Sequence, residues 1–116
     1  MKPIIRNLFA QTDSPAGEEM IQPLLDGKSF RLESIHSYGQ ATPEGSWYDQ
    51  VGAEWVLLAQ GSARLEFEGE GMLNLQSGDY LLIPAHCRHR VESTSEDAVW
   101  LALPAPPVFL HDGLPM

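Results

Sequence analysis

Turn residues interrupt this chain at short intervals. Between Gly45 and Pro104, glycine or proline stands at Gly45, Gly52, Gly61, Gly69, Gly71, Gly78, Pro84 and Pro104. The spaces between them hold strands of ordinary length and leave little room for helices. Val56-Leu57-Leu58 is an apolar run closed by Gln60-Gly61. Leu81-Leu82-Ile83 is a second, opened by Gly78-Asp79 and closed by Pro84. Runs this short between turns read as strands buried on both faces. Between them, Arg64-Leu65-Glu66-Phe67-Glu68 alternates polar with apolar, as a half-buried strand does. Gly69-Glu70-Gly71 then supplies a hairpin turn.

The flanks continue the pattern. Ile4, Ile5, Leu8 and Phe9 suggest a short edge strand over Pro3–Phe9, and Gln11–Gly17 reads as loop. Glu18–Leu25 has helical apolar spacing, but Pro23 would break a helix interior, so one helical turn and two extended pieces both remain open. Asp26-Gly27 is a turn. Phe30–Ser37 reads as a strand with Phe30 and Leu32 on one side, Arg31 and Glu33 on the other, and Ile35 out of pattern. Tyr38–Ser46 is a loop. Short strands are expected at Trp47–Gln50, Glu54–Ala59, Arg64–Glu68, Met72–Leu75, Tyr80–Ile83, His89–Ser93 and Ala98–Leu103. Such a series indicates an all-β sandwich or barrel. The tail from Pro104 is too rich in proline for a central strand, and its Val108-Phe109-Leu110 patch would cover the barrel or a partner subunit.

The chain of 116 residues has the size of one domain. Its formal net charge of −9 argues against nucleic acid or an anionic membrane as partner, since both attract basic surfaces. The acidic residues are scattered, as on a solvated surface. The one cysteine, Cys87, can form no intramolecular disulfide, and between His86 and Arg88 it reads as an inert turn thiol rather than a nucleophile. The N-terminus lacks the apolar run of a signal peptide, and no stretch approaches the ~18 apolar residues of a membrane span. A cytoplasmic location is the expectation.

The segment from Ser46 to Ser93 resembles the cupin superfamily of small β-barrels. Glu54, six residues and Gly61 fit the end of the first cupin motif. Gly78, five residues, Pro84 and then His89 fit the second, with His86 where many cupins have glycine. The wording around Trp47-Tyr48-Asp49-Gln50 and Ile83-Pro84-Ala85-His86 is similar to a group of small stand-alone bacterial cupins. The resemblance implies a double-stranded β-helix, or jelly roll, formed by residues 1–116 as a single domain. Its core motifs lie at 46–93 and the proline-rich tail at 104–116. It also implies a homodimer.

In metal-binding cupins three His and one Glu hold a divalent ion, and a set of that kind suits Mn, Fe, Ni or Zn. Glu54 and His89 stand at the Glu and last His positions, but the two His of the first motif are absent. Their places fall either to Trp47 and Asp49 or to Tyr48 and Gln50, because alternate residues share a strand face. If Asp49 faces inward, then Asp49, Glu54 and His89 form a sparse, oxygen-rich metal site. If Tyr48 and Gln50 do, the lining suits a polar ligand. An inward Glu54 needs a partner: a metal, His89, Arg64 or Arg90. His86 is expected at the barrel rim. Trp47, Trp55 and Trp100 are expected in core or cavity wall. His36 is expected to be structural or on the surface, and His111 carries no signal.

Two functions follow. The first is a small-molecule-binding cupin whose cavity holds a polar ligand, a sugar or small carboxylic acid, fixed by Trp47, Tyr48, Gln50, His86 and Arg90 around Glu54 and His89. The alternative is a metal-dependent enzyme of isomerase, lyase or dioxygenase type, or a metal-free one in which Glu54 and His89 serve as base and acid. A structural subunit using the barrel as scaffold is a third reading.

Overall fold

The computed structural model describes residues 1–10 and 18–104. Eight strands follow in order: β1 (Met20–Asp26), β2 (Arg31–His36), β3 (Glu54–Gln60), β4 (Ser62–Phe67), β5 (Gly71–Gln76), β6 (Tyr80–Ile83), β7 (His89–Thr94) and β8 (Val99–Pro104). Every pair is antiparallel. One sheet has the order β1-β2-β8-β3-β6 and the other β5-β4-β7. The all-β sandwich or barrel expected from the turn spacing, and the jelly roll implied by the resemblance, is what forms, and among the described residues there is no helix.

The sheets meet on the apolar faces that the period of two dictates. On β4, Ala63, Leu65 and Phe67 are buried while Ser62 and Arg64 are exposed. Across from them lie Val56 and Leu58 of β3, Ile83 of β6, and Trp100 and Ala102 of β8. Leu58 is fully enclosed, at 0% exposure. The apolar runs are not buried on both faces as expected. Leu57, Leu81 and Leu82 are only half-buried, and Tyr80 stands out against Trp55 with ring centroids 5.8 Å apart. Only the inner face of this sheet has a second layer over it.

Three further expectations change. Trp47–Gln50 forms no strand, only a single bridge in which Tyr48 and His89 exchange backbone hydrogen bonds of 2.7 and 3.1 Å. Pro3–Phe9 is not a strand either. The Asn7 side chain accepts from the Phe9 amide at 2.8 Å, and the local turn that follows competes with extension. The ambiguous segment after Glu18 becomes β1. Pro23 is tolerated there because β1 is an edge strand, and the register shifts between Pro23 and Leu25. The expected loop at 11–17, and the tail beyond Pro104 with its Val108–Leu110 patch and His111, lie outside the described residues.

Candidate functional site

Between the sheets lies a cavity of about 200 Å³. Its apolar wall is built from Ile35, Val56, Leu65, Ile83, Val91 and Trp100, each on the inward phase of its strand. Its polar groups are Glu19, Glu33, Gln50, Glu54 and His89, with Tyr48 half exposed at the edge. Drug-sized ligands occupy clefts of ~300–1,000 Å³, so this one suits a small metabolite.

The backbone bridge between Tyr48 and His89 sets the phase of the 47–50 segment. It turns Tyr48 and Gln50 toward the cavity. Asp49 therefore faces away and meets His86 at 3.0 Å, with both side chains exposed. This corrects the Asp49, Glu54, His89 metal set: the three do not converge. Among the described residues no three His, Cys, Asp or Glu side chains are placed to hold a metal. The donors that replace the missing His pair, a phenol and a carboxamide, do not fit the ion implied by the resemblance.

His86 belongs to the rim. It is the one non-glycine among the described residues with positive φ, at 58°, a conformation that favours the glycine the resemblance implied at this place. Its amide donates to the Gln50 carbonyl at 2.8 Å, and the ring bond to Asp49 closes the same turn. The rim thus braces Gln50.

Arg90, expected among the ligand-binding residues, does not line the cavity. His89 and Val91 take the cavity side of β7, so Arg90 falls on the opposite side. There it bonds Glu66 at 3.3 Å, the Thr42 carbonyl at 2.9 Å, and Glu92. Arg64 is likewise on the outer phase of β4. Neither arginine is the partner of Glu54. Trp47 is also outside the cavity, lying beneath the Arg88 guanidinium at 5.9 Å. Of the three tryptophans only Trp100 is cavity wall. His36 is buried at the end of β2, away from the cavity lining. Partial burial, and then the Glu70 charge, push the Cys87 thiol up, which leaves it protonated and unsuited to nucleophilic work.

Glu54 and His89 do share the cavity. Burial raises the Glu54 pKa. A hydrogen bond with Gln50 and the field of His89 oppose that rise, while the Glu33 and Glu19 charges add to it. His89 is 5% exposed, and its ring packs near Tyr48 and Phe67 at centroid distances of 5.6 and 5.9 Å. Its Nδ1 lies 2.8 Å from the Cys87 carbonyl, an atom that only accepts. Nδ1 therefore carries the proton in the neutral ring, and Nε2 keeps its lone pair. The fold thus holds a carboxyl raised by burial and an imidazole nitrogen with a lone pair in one small chamber.

Glu19 and Glu33 are additions that sequence reasoning did not place here. Burial raises the Glu19 carboxyl, against a 3.4 Å bond from Ser37. Glu33 had been expected opposite the apolar side of its strand. Its signal was Ile35, two residues on and therefore on the same face. Ile21 marks Glu19 in the same way.

Residues 37–104 match the family described as the cupin domain. No curated protein matches the chain. Among solved structures, a protein from Ralstonia eutropha JMP134, provisionally named a mannose-6-phosphate isomerase, is 46% identical with a TM-score of 0.81, over 89% of this chain and 98% of that one. An RmlC-like cupin from Desulfovibrio desulfuricans is 18% identical with a TM-score of 0.70, over 91% and 99%. KdgF from a Halomonas species is 20% identical with a TM-score of 0.65, over 82% and 85%. The last two show the fold alone. With the family match covering both motifs and most of the sheet framework, the chain belongs to the cupin superfamily.

Proposed function

We propose that the chain is a small-molecule-binding cupin whose cavity holds a polar ligand of the monosaccharide class. The observation that carries this is the inward pair Tyr48 and Gln50 in place of the expected histidines, beside Glu54 and His89. Carboxylate, carboxamide, phenol and imidazole together donate to and accept from hydroxyl groups, and Trp100 and the aliphatic wall receive the apolar face of a ring. The sugar named for the Ralstonia relative supports the same class. Calorimetric titration with D-mannose and a panel of neutral hexoses tests it. Binding that is lost in His89→Ala, with the melting temperature largely kept, is the expected result. Equal binding by the variant contradicts the site.

A second reading has its own support. The Nδ1 bond to the Cys87 carbonyl prepares Nε2 of His89 as a base, and Glu54 is the acid facing the same space. That pair suits proton transfer next to a sugar carbonyl, an isomerase step without a metal. Exchange of the hexose C2 hydrogen with solvent deuterium, lost in His89→Ala, distinguishes enzyme from binding protein.

We also propose a cytoplasmic homodimer. Ile4 and Ile5 in the N-terminal arm are 80% and 96% exposed, and the edge strand β1 shows Leu24 and Leu25 to solvent. A second copy is the natural cover for an apolar arm that its own core does not use. Among the described residues no helix is long and apolar enough to cross a membrane.

A further inference from the structure

The chain has seven lysines and arginines. All are described, and none lines the cavity. Arg31 is held by Asp26, Arg88 by Glu68, and Arg90 by Glu66 and Glu92. Arg64 lies on the outer phase of β4. Lys2 and Arg6 are on the exposed N-terminal arm, and Lys28 is exposed in the turn between β1 and β2. The cavity instead brings together Glu19, Glu33 and Glu54. It also contains His89, 5% exposed, whose Nδ1 is held by the Cys87 carbonyl. Proteins grip phosphate and carboxylate with arginine forks, lysines or the amides of a helix N-terminus. No helix occurs among the described residues, so this cavity has neither arginine, lysine nor helix end to offer.

We propose that the cavity selects its ligand by charge: it takes a neutral monosaccharide-sized polyol and turns away the phosphorylated or carboxylated counterpart. This rests on the polar-ligand reading above and narrows it. A phosphate monoester carries about −1.5 to −2 charges at neutral pH. Placed here it would face three acidic side chains, Glu19 at the exposed edge and Glu33 and Glu54 in a partly dehydrated space, where repulsion is stronger than in bulk water. Hydroxyl groups meet no such penalty, because each can donate to a carboxylate oxygen while accepting from Gln50 or Tyr48. The small-carboxylic-acid class expected from sequence is set aside on the same ground. So is any transfer of the 6-phosphate substrate named for the Ralstonia relative, despite 46% identity.

The test is calorimetry with three probes of one carbon skeleton: D-mannose, D-mannosamine and D-mannose 6-phosphate, on the wild type and on Glu19→Gln/Glu33→Gln. Mannosamine should bind at least as tightly as mannose. The phosphate should bind about tenfold more weakly or worse, the order expected when unit charges of one sign meet in a partly buried site. The double variant should narrow that gap, and Glu33→Gln alone should narrow it in part. Phosphate binding as tight as mannose, or a gap unchanged in both variants, overturns charge selection while leaving the cavity as a sugar site. No binding by any of the three overturns the sugar-class reading itself, and charge selection with it.

Discussion

At Glu54 burial and hydrogen bonding oppose each other, and burial wins: the carboxyl is raised despite Gln50 and His89. The sign of the consequence is fixed. A carboxyl whose folded pKa lies above its unfolded value binds protons more readily in the fold, so stability falls as pH rises from the ordinary carboxylate range through the folded pKa. Glu54→Gln should therefore raise the melting temperature at neutral pH, and the gain should fade as pH falls through the raised folded pKa toward the ordinary carboxylate value of ~4.3, below which both side chains are neutral. Thermal melts of the two proteins across that range check it. A gain that persists unchanged at acid pH would mean that packing, not charge, is responsible. Glu54 and His89 were legible through the resemblance to the two cupin motifs, in which they stand at set distances from Gly61 and Pro84. The facing of Tyr48 and Gln50 was not. Alternation relates neighbours to one another but does not set their phase. Here the phase comes from the long-range bridge to His89.

Among the strands, β3 to β6 could be read from the glycine and proline at both ends, and β7 and β8 from Pro84, the polar turn cluster after Ser93 and Pro104. The Trp47–Gln50 strand failed for a complementary reason. Its ladder reaches one bridge before the chain turns away near Gly52, and one bridge is too little to make a strand. β1 was ambiguous because its apolar spacing suits a helix, and only the edge position reconciles Pro23 with a sheet. Gly61 joins β3 to β4 with φ of 91°, and a Cβ there would sit 2.9 Å from the Ala98 backbone and against the Ser95 hydroxyl. Nothing flexible can move aside in the backbone contact. Gly61→Ala should cost more than the ~1–2 kcal/mol of left-handed strain alone. Urea denaturation measures this, and a loss under ~0.5 kcal/mol would show that the turn relaxes.

On the scale of the whole molecule, the sheets are covered unequally. The cavity side is packed, whereas the outer surface and the N-terminal arm carry Tyr80, Ile4 and Ile5 into solvent. The homodimer reading accounts for the arm. Sedimentation equilibrium should give a dimer for the wild type, and Ile4→Asp/Ile5→Asp should shift it toward monomer without lowering the β content seen by circular dichroism. A wild-type monomer at micromolar concentration would contradict the assembly. The net charge of −9 is legible in composition, but its meaning for the ligand was not. Scattered acidic residues read as solvated surface until β1 and β2 bring Glu19 and Glu33 beside Glu54.

The central claim is that the chamber behind Tyr48, Gln50, Glu54 and His89 holds a small polar molecule. The most direct measurement is a nitrogen–proton NMR titration with D-mannose on assigned protein. The predicted result is saturable shifts confined to the Gln50 side-chain amide, the His89 ring, the Trp100 indole and the amides of Tyr48 and Glu54. Shifts gathered instead on the outer face around Trp55 and Tyr80, or none at millimolar sugar, would contradict it.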